Sequence, residues 1–260
     1  MRVILHAGFH KTGTTTLQQG LLRNAAVLAP VVRVIPRGAL SPVGRSARAY
    51  ATSRDPLDLA LLDYDLARLL APVAADATTD PRSLVISCED LCGQMPGRDG
   101  VERYAAAPDL LRKVVATLTR VLPGASVALL LTTRAPADWL ASLHAQVLRA
   151  SRLRLDAAEF ADRYREAADL DATADRIAAA VAPVPVHRAA LEAVRDDPLG
   201  PLAPLIDLLD LPPALRSQLV PQPACNRRPA CTDQLLALNR SDLDDAQVHA
   251  AKQALLRGAA

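Results

Sequence analysis

Two periods of apolar and polar positions run along this chain, and the points where one gives way to the other mark out its elements. Val3-Ile4-Leu5 is a short apolar run of strand type, and Leu17, Leu21, Leu22, Ala25 and Leu28 then recur at the spacing of one helix face. Between them lies His6-Ala7-Gly8-Phe9-His10-Lys11-Thr12-Gly13, so the order is strand, glycine loop, helix. Val31 to Ile35 predicts a second strand, stopped by Pro36, and a Gly/Pro/Ser/Arg-rich loop is expected through Arg48. Leu62, Leu66, Leu69, Leu70 and Val73 share a helix face, and Ser83 to Ser87 reads as a buried strand. A second glycine- and proline-rich loop, Gly93 to Gly100, precedes a helix carrying Leu111, Val114, Val115, Leu118 and Leu122. Ser126 to Thr133 is the continuous apolar run that a parallel strand buried on both faces requires. Pro136 and Asp138 then suit the first turn of a helix carrying Leu140, Leu143 and Val147.

Beyond this the pattern is mostly helical. It includes a polar stretch over 156–182, a short strand Val184 to His187, helices near 199–209 and 214–219, and two terminal helices joined near Ser241. Alternating strands and helices predict an α/β fold of three layers, α/β/α, around a central parallel sheet of about four or five strands. A single domain over 1–260 is expected, with 221–260 as a helical C-terminal extension packed on it.

Composition narrows the functions open to such a fold. The 30 basic and 28 acidic residues are interspersed and leave a net charge of +2, which gives no broad footprint for nucleic acid or an anionic membrane. Aromatic residues make up only 3% of the chain, too few for a stacking platform for single strands. Apolar runs such as Val127 to Leu131 fall far short of a membrane span, and no signal-type segment stands before His6. Cys88, Cys92, Cys225 and Cys231 lack the C-x2-C spacing and neighbouring His pair of a zinc site. They read as buried thiols of a reducing compartment, so a soluble cytoplasmic protein without a metal is expected.

The first loop carries the chemistry. Backbone N–H groups of a loop and first helical turn point the same way at the positive end of the helix dipole, which makes an anion the natural ligand. A Walker A loop has a glycine directly before its lysine, whereas here Phe9-His10 precede Lys11 and Gly13 follows two residues later. The stretch resembles the 5′-phosphosulfate loop of the sulfotransferases that use 3′-phosphoadenosine 5′-phosphosulfate (PAPS), in its bacterial form H-x-G-x-x-K-T-G-T-T-x-x-Q. Gly8, Lys11, Thr12, Gly13, Thr14 and Thr15 match that form unchanged. Leu131 to Ser142 resembles the family's 3′-phosphate motif, with Arg134 at a strand end and Ser142 eight residues on. Ser87-Cys88-Glu89 resembles a Ser-x-Glu segment of bacterial relatives, and Cys225-Asn226-Arg227-Arg228 their late Asn-Arg-Ser segment, with Arg228 in place of the serine.

The resemblance implies a P-loop NTPase-like sheet and transfer of a sulfuryl group from PAPS to a hydroxyl or amine, releasing PAP. The acceptor would be a small molecule or carbohydrate, with no metal taking part. Lys11 would stabilise charge on the oxygen bridging sulfur and phosphorus, while Thr12, Gly13, Thr14, Thr15 and Thr16 would give N–H groups and hydroxyls to the 5′-phosphate. Arg134 and Ser142 would hold the 3′-phosphate, with Asn226 and Arg227 closing over it. Some carbohydrate sulfotransferases place their catalytic Glu near the second strand, but residues 30–50 contain no acidic side chain. Glu89 is therefore the candidate base, with His10 and His144 as rivals. Two other readings stay open: an ATP-dependent kinase or NTPase with Asp90 on magnesium, and a PAP- or PAPS-binding module without turnover. Acceptor identity and oligomeric state stay unassigned.

Overall fold

A computed structural model describes residues 1–223 and 231–258 of the chain. Asn226, Arg227 and Arg228, expected near the nucleotide, lie outside the described residues.

The elements run β1 (Arg2–His6), α1 (Thr14–Arg23), α2 (Ala25–Leu28), β2 (Val32–Val34), α3 (Ser41–Ser53), α4 (Pro56–Asp76), β3 (Ser83–Ser87), α5 (Ala107–Val121), β4 (Ser126–Thr133) and α6 (Pro136–Ala150). They continue with α7 (Ala157–Arg163), α8 (Leu170–Val181), β5 (Val186–Ala190), α9 (Ala203–Leu209), α10 (Pro213–Arg216), α11 (Thr232–Arg240) and α12 (Asp245–Gly258). The strands form one parallel sheet in the order β2-β3-β1-β4-β5. β1 is central, with Ile4 opposite Val85 of β3 on one side and Ala128 of β4 on the other. From β1 the chain goes to the edge strand β2, returns to β3 between them and then crosses to β4 on the other side of β1, so the β1 loop opens at the point where strand order reverses. In open α/β sheets that crevice holds ligands.

The period of two sorts side chains into two layers. Val3, Leu5, Leu84, Ile86, Leu129 and Leu131 face a core filled from α4, α5, α6 and α8, whereas Ile4, Val85 and Leu130 face α1 and α9 through Leu17, Leu21, Leu205 and Ile206. The result is a three-layer α/β/α fold. No helix among the described residues is long and apolar enough to cross a membrane. The described cysteines, Cys88, Cys92 and Cys231, are free and buried.

Three local expectations change. The first helix face breaks at Asn24, whose side-chain N–H groups donate to the Gly20 and Val220 carbonyls at 2.9 and 3.0 Å, so Ala25–Leu28 is a separate turn. The loop expected through Arg48 is instead a short 3-10 turn over Arg37–Leu40 followed by α3, which packs on α4. Small residues there looked like a loop signal, but Gly44 lies against Asp90 where a Cβ would come within 3.1 Å of its side chain, and Ala47 is fully buried. The last strand begins and ends later than Val184 to His187, because pairing with β4 runs from Leu129–Val186 to Thr133–Ala190.

Candidate functional site

The loop after β1 is shaped by contacts that only its own residues permit. A Cβ on Gly8 would stand 2.4 Å from Thr132 Oγ1 and 2.7 Å from His6 Nε2, so any side chain there would collide with the sheet. Gly13 sits at φ 95°, a left-handed conformation that glycine adopts without strain, and Lys11 holds φ 69° as a non-glycine residue. The carbonyls of Phe9, His10 and Lys11 are tied by side chains. Thr12 Oγ1 donates to the Phe9 carbonyl at 2.6 Å, Trp139 Nε1 to that of His10 at 2.9 Å, and Arg134 Nη1 to that of Lys11 at 3.2 Å. With its carbonyls committed, the loop leaves the amides at the start of α1 for a ligand, since a first helical turn has no carbonyl one turn back. Leu17 N–H, on the Gly13 carbonyl at 3.0 Å, closes the first helical bond.

Thr14 Oγ1 is buried and has no hydrogen-bond partner among the described residues. A buried hydroxyl without a partner is costly, and this one, at a helix start facing Gly8, is a candidate contact for a ligand oxygen. Thr12 departs from expectation. Its hydroxyl is turned into the sheet, between the Phe9 carbonyl and Thr132 Oγ1 at 2.7 Å, so only its backbone N–H can serve an anion.

A cavity of about 370 Å³ opens beside this loop. Lys11, Gly13, Thr16, Arg134 and Ser142 all line it, so residues from two separate stretches of sequence meet at one space. Arg134 follows directly on β4, and Ser142 lies on the buried side of α6. The facing wall is the segment after β5, including Leu191, Arg195 and Pro201, together with Gln222. Sequence reasoning missed this wall. Its one signal was Arg195 in a turn shortly after a strand.

Lys11 Nζ donates to Gln146 Oε1 at 3.3 Å. Burial first, then the nearby charges of Arg149 and Arg134, push its pKa below the ordinary 10.5. On the β3 side of the loop stands Glu89, which does not line the cavity. Its Oε1 takes Arg37 Nη2 at 2.9 Å and its Oε2 takes Gln18 Nε2 at 3.2 Å. His6, fully buried, lies between Ser87 Oγ at 2.8 Å and Thr132 Oγ1 at 3.4 Å; burial brings its pKa down to about 4, so the floor of the loop is uncharged.

His10 is held at both ring nitrogens. Its backbone N–H donates to Tyr104 Oη at 3.2 Å; burial pushes the Tyr104 phenol well up, so it keeps its proton and donates it to His10 Nδ1 at 3.0 Å. Nε2–H then donates to Asp90 Oδ1 at 3.3 Å. Both ring nitrogens are in use, and His10 acts as a clasp that fixes the backbone next to Lys11. Asp90 also binds Arg48. Burial raises its carboxyl, but the His10 contact and the charges of Arg48 and Arg37 outweigh this and hold it low. His144 is removed from the site: it bonds the Leu155 carbonyl at 2.9 Å and packs on Phe160. No group of His, Cys, Asp and Glu among the described residues is arranged to hold a metal ion.

These features define a three-layer α/β/α protein with a candidate anion site at the start of α1 and a second cationic position on the same cavity. Comparison with family models, curated proteins and solved structures found no match to this chain.

Proposed function

We propose that this chain is a sulfotransferase that moves a sulfuryl group from PAPS to a hydroxyl or amine of a small-molecule or carbohydrate acceptor. One observation carries the reading: Arg134 and Ser142 line the same cavity as Lys11 and Gly13, which supports a ligand with two separated phosphates. The residues fit that donor. The partnerless Thr14 hydroxyl and the Gly8–Gly13 cradle suit a 5′-phosphate, and the guanidinium of Arg134 suits a 3′-phosphate.

In transfer, the acceptor oxygen or nitrogen bonds to sulfur while the bond from sulfur to the phosphate oxygen breaks, its electron pair staying on PAP. Lys11 meets the charge that grows on that oxygen, and α1 contributes its dipole. Glu89 takes the acceptor proton, oriented by Arg37 and Gln18. His10 positions Lys11 through the backbone between them. The buried free thiols support a reducing, cytoplasmic setting.

Calorimetry with PAP and AMP tests the reading directly. Wild type should prefer PAP, and Arg134→Ala should erase most of that preference, a loss of about 1.5–3 kcal/mol for a hydrogen-bonded charge. An unchanged preference, or magnesium-dependent ATP turnover by the purified protein, would overturn it.

A further inference from the structure

We propose that Gln146 and Arg149 form a third anion subsite, next to the phosphate loop, and that it receives the sulfuryl group of the donor. This rests on the PAPS reading above. Ser142, Gln146 and Arg149 stand at i, i+4 and i+7 of α6, so one helix face runs from the Arg134 side of the cavity past Lys11 and outward. Gln146 Oε1 accepts both Lys11 Nζ at 3.3 Å and Arg149 Nη2 at 2.8 Å. Two cations therefore share one neutral carbonyl oxygen, and among the described residues neither is joined to a carboxylate.

The neighbouring arginines behave otherwise. Arg37 is paired with Glu89, and Arg48 with Asp90. Like charges gathered on a neutral acceptor repel each other in the folded chain, and an anion placed between them removes that repulsion. Burial first, then the charges of Arg149 and Arg134, push the Lys11 pKa down, in keeping with this crowding of cations. Inorganic phosphate at the loop would answer Lys11 alone. An anion that extends from the loop phosphate toward Arg149 answers both, and the sulfuryl group, with a negative charge spread over its oxygens, matches the fork of a guanidinium. PAP lacks this group and PAPS carries it, so the subsite separates donor from product.

Equilibrium binding of PAP and of PAPS, without acceptor, to wild type and to Arg149→Met tests this. Arg149 is exposed, so the substitution spares the core, and retained PAP affinity reports an intact loop. The expected result is a loss of about tenfold for PAPS with a change under about twofold for PAP, the scale of one charge-assisted hydrogen bond. Equal losses for both nucleotides, or no loss for PAPS, would overturn the subsite. A wild-type protein that binds neither nucleotide in preference to AMP would instead overturn the sulfotransferase reading itself.

Discussion

Two lysines in this protein are drawn out of water, and their surroundings are opposite. Lys252, on α12, donates to the Leu148 and Ser151 carbonyls, each at 2.7 Å, at the C-terminal end of α6. Asn239 Nδ2 reaches the same two carbonyls and that of Leu153, while Arg152 binds the Asn239, Ser241 and Leu243 carbonyls. A cation there meets the negative end of a helix dipole and its open carbonyls, which is a stabilising placement. Lys11 stands before the N-terminal end of α1, beside Arg134 and Arg149, with one amide oxygen at 3.3 Å. The charges that Arg149 and Arg134 bring to that point are positive. In both places burial lowers the lysine pKa, so desolvation alone does not tell them apart. The partners do: the protein surrounds Lys252 with backbone carbonyls of its own chain and gives Lys11 one neutral amide oxygen.

That contrast can be broken by substitution. Lys11→Ala should cut sulfuryl transfer by about 10²–10³-fold, as loss of a transition-state charge partner does, while leaving the melting temperature near wild type. Activity equal to wild type would place Lys11 with the structural lysines. PAP binding should also weaken as pH rises through the lowered Lys11 pKa, because the ammonium that holds the anion is lost there.

The loop floor gives the next largest effect. His6 has an ordinary pKa of 6.5 that falls to about 4 in the fold, so between these values the unfolded chain binds a proton that the folded chain refuses. Stability should therefore fall with pH across that window, by roughly 3 kcal/mol in full. Urea melts of wild type and His6→Asn at pH 7, 5.5 and 4.5 should show the slope only in wild type; the same slope in both would place its source elsewhere.

Lys252→Met should lower stability by about 2 kcal/mol through two lost charge-assisted hydrogen bonds, read from chemical denaturation, with PAP affinity unchanged. A stable variant that lost PAP affinity would reverse the roles of the two lysines. Smallest is Thr14→Val. Because the buried hydroxyl has no partner to lose, stability should change by less than about 1 kcal/mol, whereas PAP affinity should drop. Destabilisation without loss of affinity would mean that the hydroxyl serves the fold.

Much of this arrangement was legible in the chain, for reasons that differ by region. The strand–loop–helix order at Val3 to Leu28 follows from short-range spacing, and the α/β alternation from the change of period between strands and helices. Arg134 and Ser142 were paired through their resemblance to a phosphate motif, and they line one cavity because a strand end and a helix position eight residues later have a nearly fixed relation. The region 37–48 misled because Gly44, Ser46 and Ala47 resemble turn residues, yet they are small because α3 lies close to Asp90 and α4. His10 stood as a rival base because it adjoins Lys11, and nothing near it in sequence announces Tyr104, 94 residues away.

The sequence alone determined the conformations that are local: glycine at Gly8 and Gly13, the helix that begins after them, and the apolar period that buries β1, β3 and β4. Packing determined which polar atoms were left over. Whether Thr12 or Thr14 keeps a hydroxyl for a ligand depends on Thr132, and whether Lys11 is neutralised or left among cations depends on Gln146, Arg134 and Arg149. Such choices rest on distances between segments far apart in the chain. Desolvation and charge act through space, and no spacing along a sequence encodes them.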